Sequence, residues 1–317
     1  MALDRAPAAR HRRGVDWKAL RTRLAPYGRV LAWLWTAGLL GWVVWRLSTF
    51  GWSEILGHLP TAPGFYLVYA ASFFVLPWSE QRIYAIIWGV RLPMVPFLRK
   101  RALNNAVLGS SGDVYFYFWA RSHLDLPDRR LLAGVKDASV LSGLAATVTT
   151  VALVLAFVAL GRGELVGRLW AGETVWAALI AAVAVLAVPL AFRFRRALFW
   201  IDERRAARVF AIHCLRVVAI MALQMLQWWA AMPEAPLVTW LLFVTAQSLV
   251  NQVPLAPNRE LLFLTISMEL LRGTGVDPPA LAALLVATSL LKQVTHLVTL
   301  LLTHRALPPR EQADAAR

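Results

Sequence analysis

Asn104–Asp113 reads NNAVLGSSGD, and Asn251–Glu260 reads NQVPLAPNRE. The two stretches lie 147 residues apart. At that offset Asn104 falls on Asn251, Asn105 on Gln252, Leu108 on Leu255 and Asp113 on Glu260. Alone, such a match is weak. The apolar segments around it repeat at nearly the same spacing: a run from Val30 corresponds to one from Thr174, and a run from Ala138 to one from Pro278. A polar chain break that recurs at membrane depth in two halves of a chain marks transporters built from repeats.

The rest of the chain reads as a membrane protein. It is 59% hydrophobic, holds 15 Trp and has a mean hydropathy of +0.56. Runs of about 17–25 apolar residues cross a hydrocarbon core of about 30 Å. Six spans are expected, at Val30–Thr49, Phe65–Ser79, Ala138–Leu160, Thr174–Phe192, Val209–Met232 and Pro278–Thr303. For the second, a kinked helix running on through Pro77 to Val90 is the alternative. The expected fold is an all-α polytopic membrane protein. A basic segment, residues 1–29, precedes a transmembrane domain, 30–303, with halves at 30–161 and 174–303, and a tail follows at 304–317. The long Ala/Arg-rich lead, with no A-x-A site after the first span, argues against a signal peptide. The single cysteine, Cys214, forms no intramolecular disulfide and reads as a small buried apolar residue.

A net charge of +15 raises the question of nucleic acid, and its distribution answers it. Met1–Arg29, Glu80–Asp137, Arg193–Arg208 and His304–Arg317 together hold 26 Lys/Arg, whereas the intervening loops hold 4. This is the positive-inside bias of an inner-membrane protein with both termini cytoplasmic. Topology and attraction to anionic lipid headgroups explain most of the basic charge, and no nucleic-acid partner is expected.

Each polar motif is flanked by apolar stretches too short to span: Val95–Leu103 with Val114–Ala120, and Leu237–Val250 with Leu261–Leu271. Irregular backbone at membrane depth must be enclosed by protein or water. We therefore expect two re-entrant helical hairpins, the first entering from the cytoplasm and the second from outside. The halves are then inverted repeats. If Leu237–Val250 spans fully instead, the C-terminus moves outside.

Two spans carry polar stripes. At about 100° per residue, His213, Arg216, Gln224 and Gln227 fall within an arc of about 80°. Thr288, Lys292, Thr295, His296, Thr299 and Thr303 fall within about 100°. A charge at the bilayer centre costs at least about 2.5–3.5 kcal/mol, so Arg216 and Lys292 are expected to face the interior, a partner or water. Snorkelling towards the cytoplasmic face is the alternative for Arg216. In the hairpins, Gly109 and Gly112 permit sharp turns, and Ser110 and Ser111 can satisfy freed backbone groups. Asp113 and Glu260 either open a returning half-helix, where the dipole favours negative charge, or organise a path by pairing with Arg121, Arg259 or Lys292 or by carrying a proton. Asp125, Asp128 and Asp137, interleaved with Arg129, Arg130 and Lys136, read as a solvated, salt-bridged surface. No Walker-type loop, C-x-x-C, H-E-x-x-H or G-x-S-x-G is present, and no histidines have metal-ligand spacing. No cofactor or metal is expected.

These residues resemble the transmembrane, flippase-like region of bacterial lysylphosphatidylglycerol synthases and their stand-alone relatives, over roughly Val30–Thr303. In that family an Asn precedes a Pro/Gly-rich break ending in Gly-Glu, and a later Pro/Gly-rich break precedes another Glu. Asn104, Gly109, Gly112 and Asp113 match the first, and Pro254, Pro257 and Glu260 the second. Asp113 stands in place of Glu, the first break lacks Pro, and the second has Asn258–Arg259 in place of glycines. The resemblance implies lipid translocation between leaflets. Only 14 residues follow Thr303, so aminoacylation by this chain alone is not expected. The expected activity is exchange of an anionic-headgroup lipid or lipid-linked precursor along Asn104, Asn105, Ser110, Ser111, Asp113, Arg216, Gln224, Asn251, Gln252, Arg259, Glu260, Lys292 and His296. Two alternatives stand beside it. One is an intramembrane lipid-modifying enzyme with Asp113, Glu260 or His296 as acid or base; the other is a non-catalytic subunit of an envelope-lipid complex. Membrane lipids are the expected partners, with a homo-oligomer or envelope-biosynthesis partner as further possibilities.

Overall fold

The computed structural model describes residues 57–106, 111–159, 199–252, 259–270 and 276–303, with Gly41 and Trp45. The described residues form eight α-helices and no strand. In chain order they are α1 (Pro63–Trp88), α2 (Val95–Ala106), α3 (Ser111–His123), α4 (Asp128–Ala159), α5 (Glu203–Ala231), α6 (Leu237–Gln252), α7 (Arg259–Leu270) and α8 (Pro278–Leu302). Three of them, α4, α5 and α8, are long and apolar enough to cross a membrane. They coincide with the third, fifth and sixth expected spans. The first and fourth expected spans, apart from Gly41 and Trp45, lie outside the described residues.

The second expected span is longer than Phe65–Ser79. Helix α1 takes the alternative course through Pro77 and ends at Gly89, whose φ of 75° suits glycine and whose N–H bonds back to the Ala85 carbonyl. Pro77 has no N–H, so it leaves the carbonyl of Phe73 without its helical donor. Arg101 Nη1 fills that place, donating to the Phe73 oxygen at 2.5 Å. A side chain from another helix thus lets the proline stay inside a 26-residue helix.

Helices α2 and α3 pack against each other, as do α6 and α7. Arms of 12 to 16 residues reach only about 18–24 Å, short of a core of about 30 Å. The eight helices fall into two successions of four: a long helix, two short arms, a long helix. Their packing joins the two successions in matching pairs. Helix α1 lies along α5, α2 packs on α8 of the other succession, and α6 packs on α4. Each half also builds the same aromatic contact. Trp88 at the end of α1 stacks on Phe116 of α3 at 5.5 Å and 9°, and Trp228 at the end of α5 stacks on Phe263 of α7 at 6.0 Å and 8°. Around these stacks lie two apolar cores, one holding Tyr84, Phe97 and Trp119, the other Trp240, Phe243 and Met268.

Helix ends sort onto two faces. On one, Arg130 donates to the Trp88 carbonyl at 3.1 Å, Asp137 accepts from the N–H groups of Trp200 and Ile201 at 2.8 and 3.1 Å, and Arg99 donates to the Thr303 carbonyl at 2.7 Å. This face gathers the end of α1, the starts of α4 and α5 and the end of α8. On the other, a Cβ at Gly64 would meet Ala230 at 3.5 Å, and His58 lies 4.0 Å from Asp277, the N-cap of α8. Short connections attach the α2–α3 pair to the first face and the α6–α7 pair to the second.

Candidate functional site: a cationic cluster at the first hairpin

Helix α2 carries three consecutive basic residues, Arg99, Lys100 and Arg101, inside an otherwise apolar arm. Successive helical positions turn by about 100°, so the three side chains leave in different directions. Arg99 goes to the C-terminus of α8, where it donates to the Thr303 and Leu300 carbonyls at 2.7 and 3.3 Å. Carbonyls at a helix C-terminus lack helical donors, and the helix dipole favours a cation there. Arg101 goes to the Pro77 break of α1, with its guanidinium 4.7 Å over the Phe73 ring.

Lys100 goes to the centre. It is 4% exposed, and its ammonium lies 2.8 Å from Glu80 Oε1 of α1 and 3.0 Å from Asp113 Oδ1 of α3. The rings of Tyr84 and Phe116 approach it at 5.1 and 5.4 Å. Glu80 and Tyr84, four residues apart, share one face of α1. A single ammonium therefore ties α1 to both arms of the hairpin.

The tip of the hairpin is closed by the motif itself. Asn104 Oδ1 accepts the Gly112 N–H at 2.7 Å, and Ser111 Oγ donates to the Leu103 carbonyl at 2.8 Å. A Cβ on Gly112 would stand 2.0 Å from the Lys100 carbonyl oxygen, so only glycine allows this approach. Asp113 sits in the first turn of α3, where the dipole also favours it.

Helix α5 faces this cluster. Arg216, 8% exposed, donates to Ser142 Oγ of α4 at 2.9 Å, and its Nε is buried without a partner. His213, one turn earlier and 2% exposed, has neither ring nitrogen in a well-formed hydrogen bond. The Glu80 charge acts on both Arg101 and Arg216, and the Arg216 charge acts on Arg101. Among the described residues, no carboxylate oxygen lies within 4.0 Å of Arg99, Arg101 or Arg216. Among the described residues, the cluster thus sets Arg99, Lys100, Arg101 and Arg216 against the carboxylates of Glu80 and Asp113.

The other expected path residues are dispersed around this centre. Gln224 donates to Gln227 at 3.3 Å, and Gln252 of α6 to Thr150 of α4 at 3.3 Å. Asn105 is exposed and donates to the Arg101 carbonyl at 2.8 Å. Asn251 is exposed in the last turn of α6, and Arg259 is exposed at the start of α7. His296 is buried, with its ring 5.9 Å from that of Phe73. Lys292 is half-buried on α8, between buried Thr288 and exposed Val294. Ser110 and the side chain of Glu260 lie outside the described residues. Among the described residues no group of His, Cys, Asp and Glu is placed to hold a metal ion.

Three expectations are corrected. Asp113 pairs with Lys100 rather than with Arg121, Arg259 or Lys292; Arg121 instead pairs with Asp128 at 3.1 Å. Asp137 is not a solvated surface residue. It is 0% exposed, because residues 199–201 pass over it and donate two backbone N–H groups to its carboxylate. The Arg99–Arg101 triplet, counted as loop charge, packs against other helices, with Arg99 and Lys100 buried and Arg101 half-buried. Its sequence signal was a basic triplet within an arm that Pro93, Pro96 and the first motif bound.

Comparison with protein-family models, curated proteins and solved structures found no match.

Proposed function

We propose that the chain is a flippase-like transporter that exchanges an anionic-headgroup lipid between leaflets of a bacterial inner membrane. The observation that carries this reading is the pair of guanidiniums of half-buried Arg101 and buried Arg216, each meeting neutral acceptors among the described residues, between helices that include three long and apolar enough to cross a membrane. Uncompensated charge at such depth is costly. An entering phosphate group offsets that cost, since guanidinium–phosphate pairs are strong and directional. The acyl tails remain in lipid.

The hairpins supply the path in this reading. Each is too short to span, each is tied to a different face, and each half repeats the same order of helices. We read them as inverted repeats whose hairpins enter from opposite sides, with the basic face cytoplasmic. The full reading has six spans, two of them in the segments around Val30–Thr49 and Thr174–Phe192. The resemblance to the transmembrane region of lysylphosphatidylglycerol synthases agrees with this. The residues that we assign to the path are Lys100, Arg101, Asp113 and Arg216, with Asn104, Gly112 and Ser111 shaping the tip.

The test is leaflet exchange of headgroup-labelled phosphatidylglycerol in liposomes holding the full chain. Wild type is expected to accelerate exchange well above protein-free liposomes, and Arg216→Gln to lose most of that acceleration while still inserting. Equal rates with and without wild-type protein would reject the reading; a modified lipid product would favour the enzyme alternative.

A further inference from the structure

Helix α1 joins the two apolar cores, and its weak point lies between them. Phe65, near its start, packs in the core that holds Trp228 and Trp240, whereas Ile83, Tyr84, Ile87 and Trp88 pack in the core around Phe97 and Phe116. Tyr69 ties the first stretch to α8 by donating to the Leu291 carbonyl at 3.4 Å, and Glu80 ties the second to Lys100. Pro77 sits between these ties. Two recognised causes of helix bending coincide there: a proline, and a side chain set into the ladder of main-chain bonds. Arg101 is that side chain. Its Nη1 donates to the Phe73 carbonyl at 2.5 Å and more weakly to the Ser72 carbonyl at 3.5 Å, with the guanidinium over the Phe73 ring. These partners carry no charge. Arg101 is half-buried, and one turn further along α2 the exposed Asn105 of the first polar motif donates to the Arg101 carbonyl. The guanidinium thus sits beside the hairpin tip. A phosphate offers it two parallel bonds between opposite charges, which are stronger than bonds to a neutral carbonyl.

We propose that Pro77 is a hinge in α1 and that Arg101 is its latch: a lipid phosphate that draws the guanidinium away leaves the Phe73 carbonyl without a donor and lets α1 bend. The phosphate step rests on the transport reading above. Occupancy of the first hairpin is thereby coupled to the course of α1 between the two cores. Pro77→Ala removes the device, because the new N–H takes the Phe73 carbonyl and no latch is needed.

The experiment is hydrogen exchange of the main-chain amides of residues 74–81, read on the full chain in nanodiscs of phosphatidylglycerol or of phosphatidylcholine, whose own choline neutralises its phosphate. Wild type is expected to exchange about fivefold faster or more in phosphatidylglycerol, since local opening sets the rate. Arg101→Met is expected to be fast in both lipids, and Pro77→Ala slow in both. Adding Pro77→Ala to Arg101→Met is expected to restore slow exchange, which separates loss of the latch from general unfolding. In liposomes, Pro77→Ala is expected to slow leaflet exchange of phosphatidylglycerol by about tenfold, as loss of a hinge does. Equal wild-type rates in the two lipids, a double variant as fast as Arg101→Met, or full leaflet exchange by Pro77→Ala would overturn the proposal. A wild type that opens in phosphatidylglycerol but moves no lipid between leaflets would remove the transport reading and leave the hinge standing.

Discussion

Lys100 shows how much a single residue holds in this molecule. Its ammonium is the only described cation within ion-pair distance of both Glu80 and Asp113. Removing it leaves Glu80 and Asp113, both half-buried, without that counter-charge. Breaking a buried pair from one side costs about 3–5 kcal/mol, because the orphaned partner stays desolvated. Lys100→Met is therefore expected to lower unfolding stability in detergent by about that amount. Adding Glu80→Gln to it is expected to recover a large part, since the replacement amide carries no charge. Denaturant titration of the single and double variants measures this. A Lys100→Met protein as stable as wild type would show that the ion pairs contribute nothing.

At the level of elements, the hairpin tip depends on a close backbone approach. Gly112→Ala forces a methyl group onto the Lys100 carbonyl, and overpacking of this kind costs about 1–3 kcal/mol. Thermal unfolding of Gly112→Ala is expected at a lower midpoint, with Gly143→Ala, where nothing lies within 4 Å of the added carbon, close to wild type. Equal midpoints for the two would contradict the tip geometry.

Much of this architecture was legible in the sequence. The polar motifs and their short apolar flanks marked both helix pairs, and the stripe on α5 faces inward, with His213, Arg216 and Gln227 buried. The rest depended on contacts distant in the chain. Pro77, Glu80 and Arg82 interrupt the apolar run of α1, yet the helix continues because Arg101 supplies the donor that Pro77 lacks. Asp137 sits beside Lys136, as a surface residue would, and is buried only by a strand of backbone some sixty residues later, at Trp200 and Ile201. The Arg99–Arg101 triplet counts as loop charge in any tally of topology. Only the packing of α2 against α1, α3 and α8 turns it into the centre of the site.

At the scale of the molecule, the proposed transport requires two helix hairpins that enter from opposite faces. The attachments of α2–α3 and α6–α7 to different faces motivate it, and a path open to both leaflets requires it. The connections at the two hairpin bases are exposed at Val90 and at Glu234. Val90→Cys and Glu234→Cys, each made in a Cys214→Ser background to remove the one native thiol, can be labelled in sealed vesicles with a membrane-impermeant maleimide. The account predicts labelling of position 90 from the cytoplasmic side only and of position 234 from the opposite side only. Labelling of both positions from the same side would contradict it.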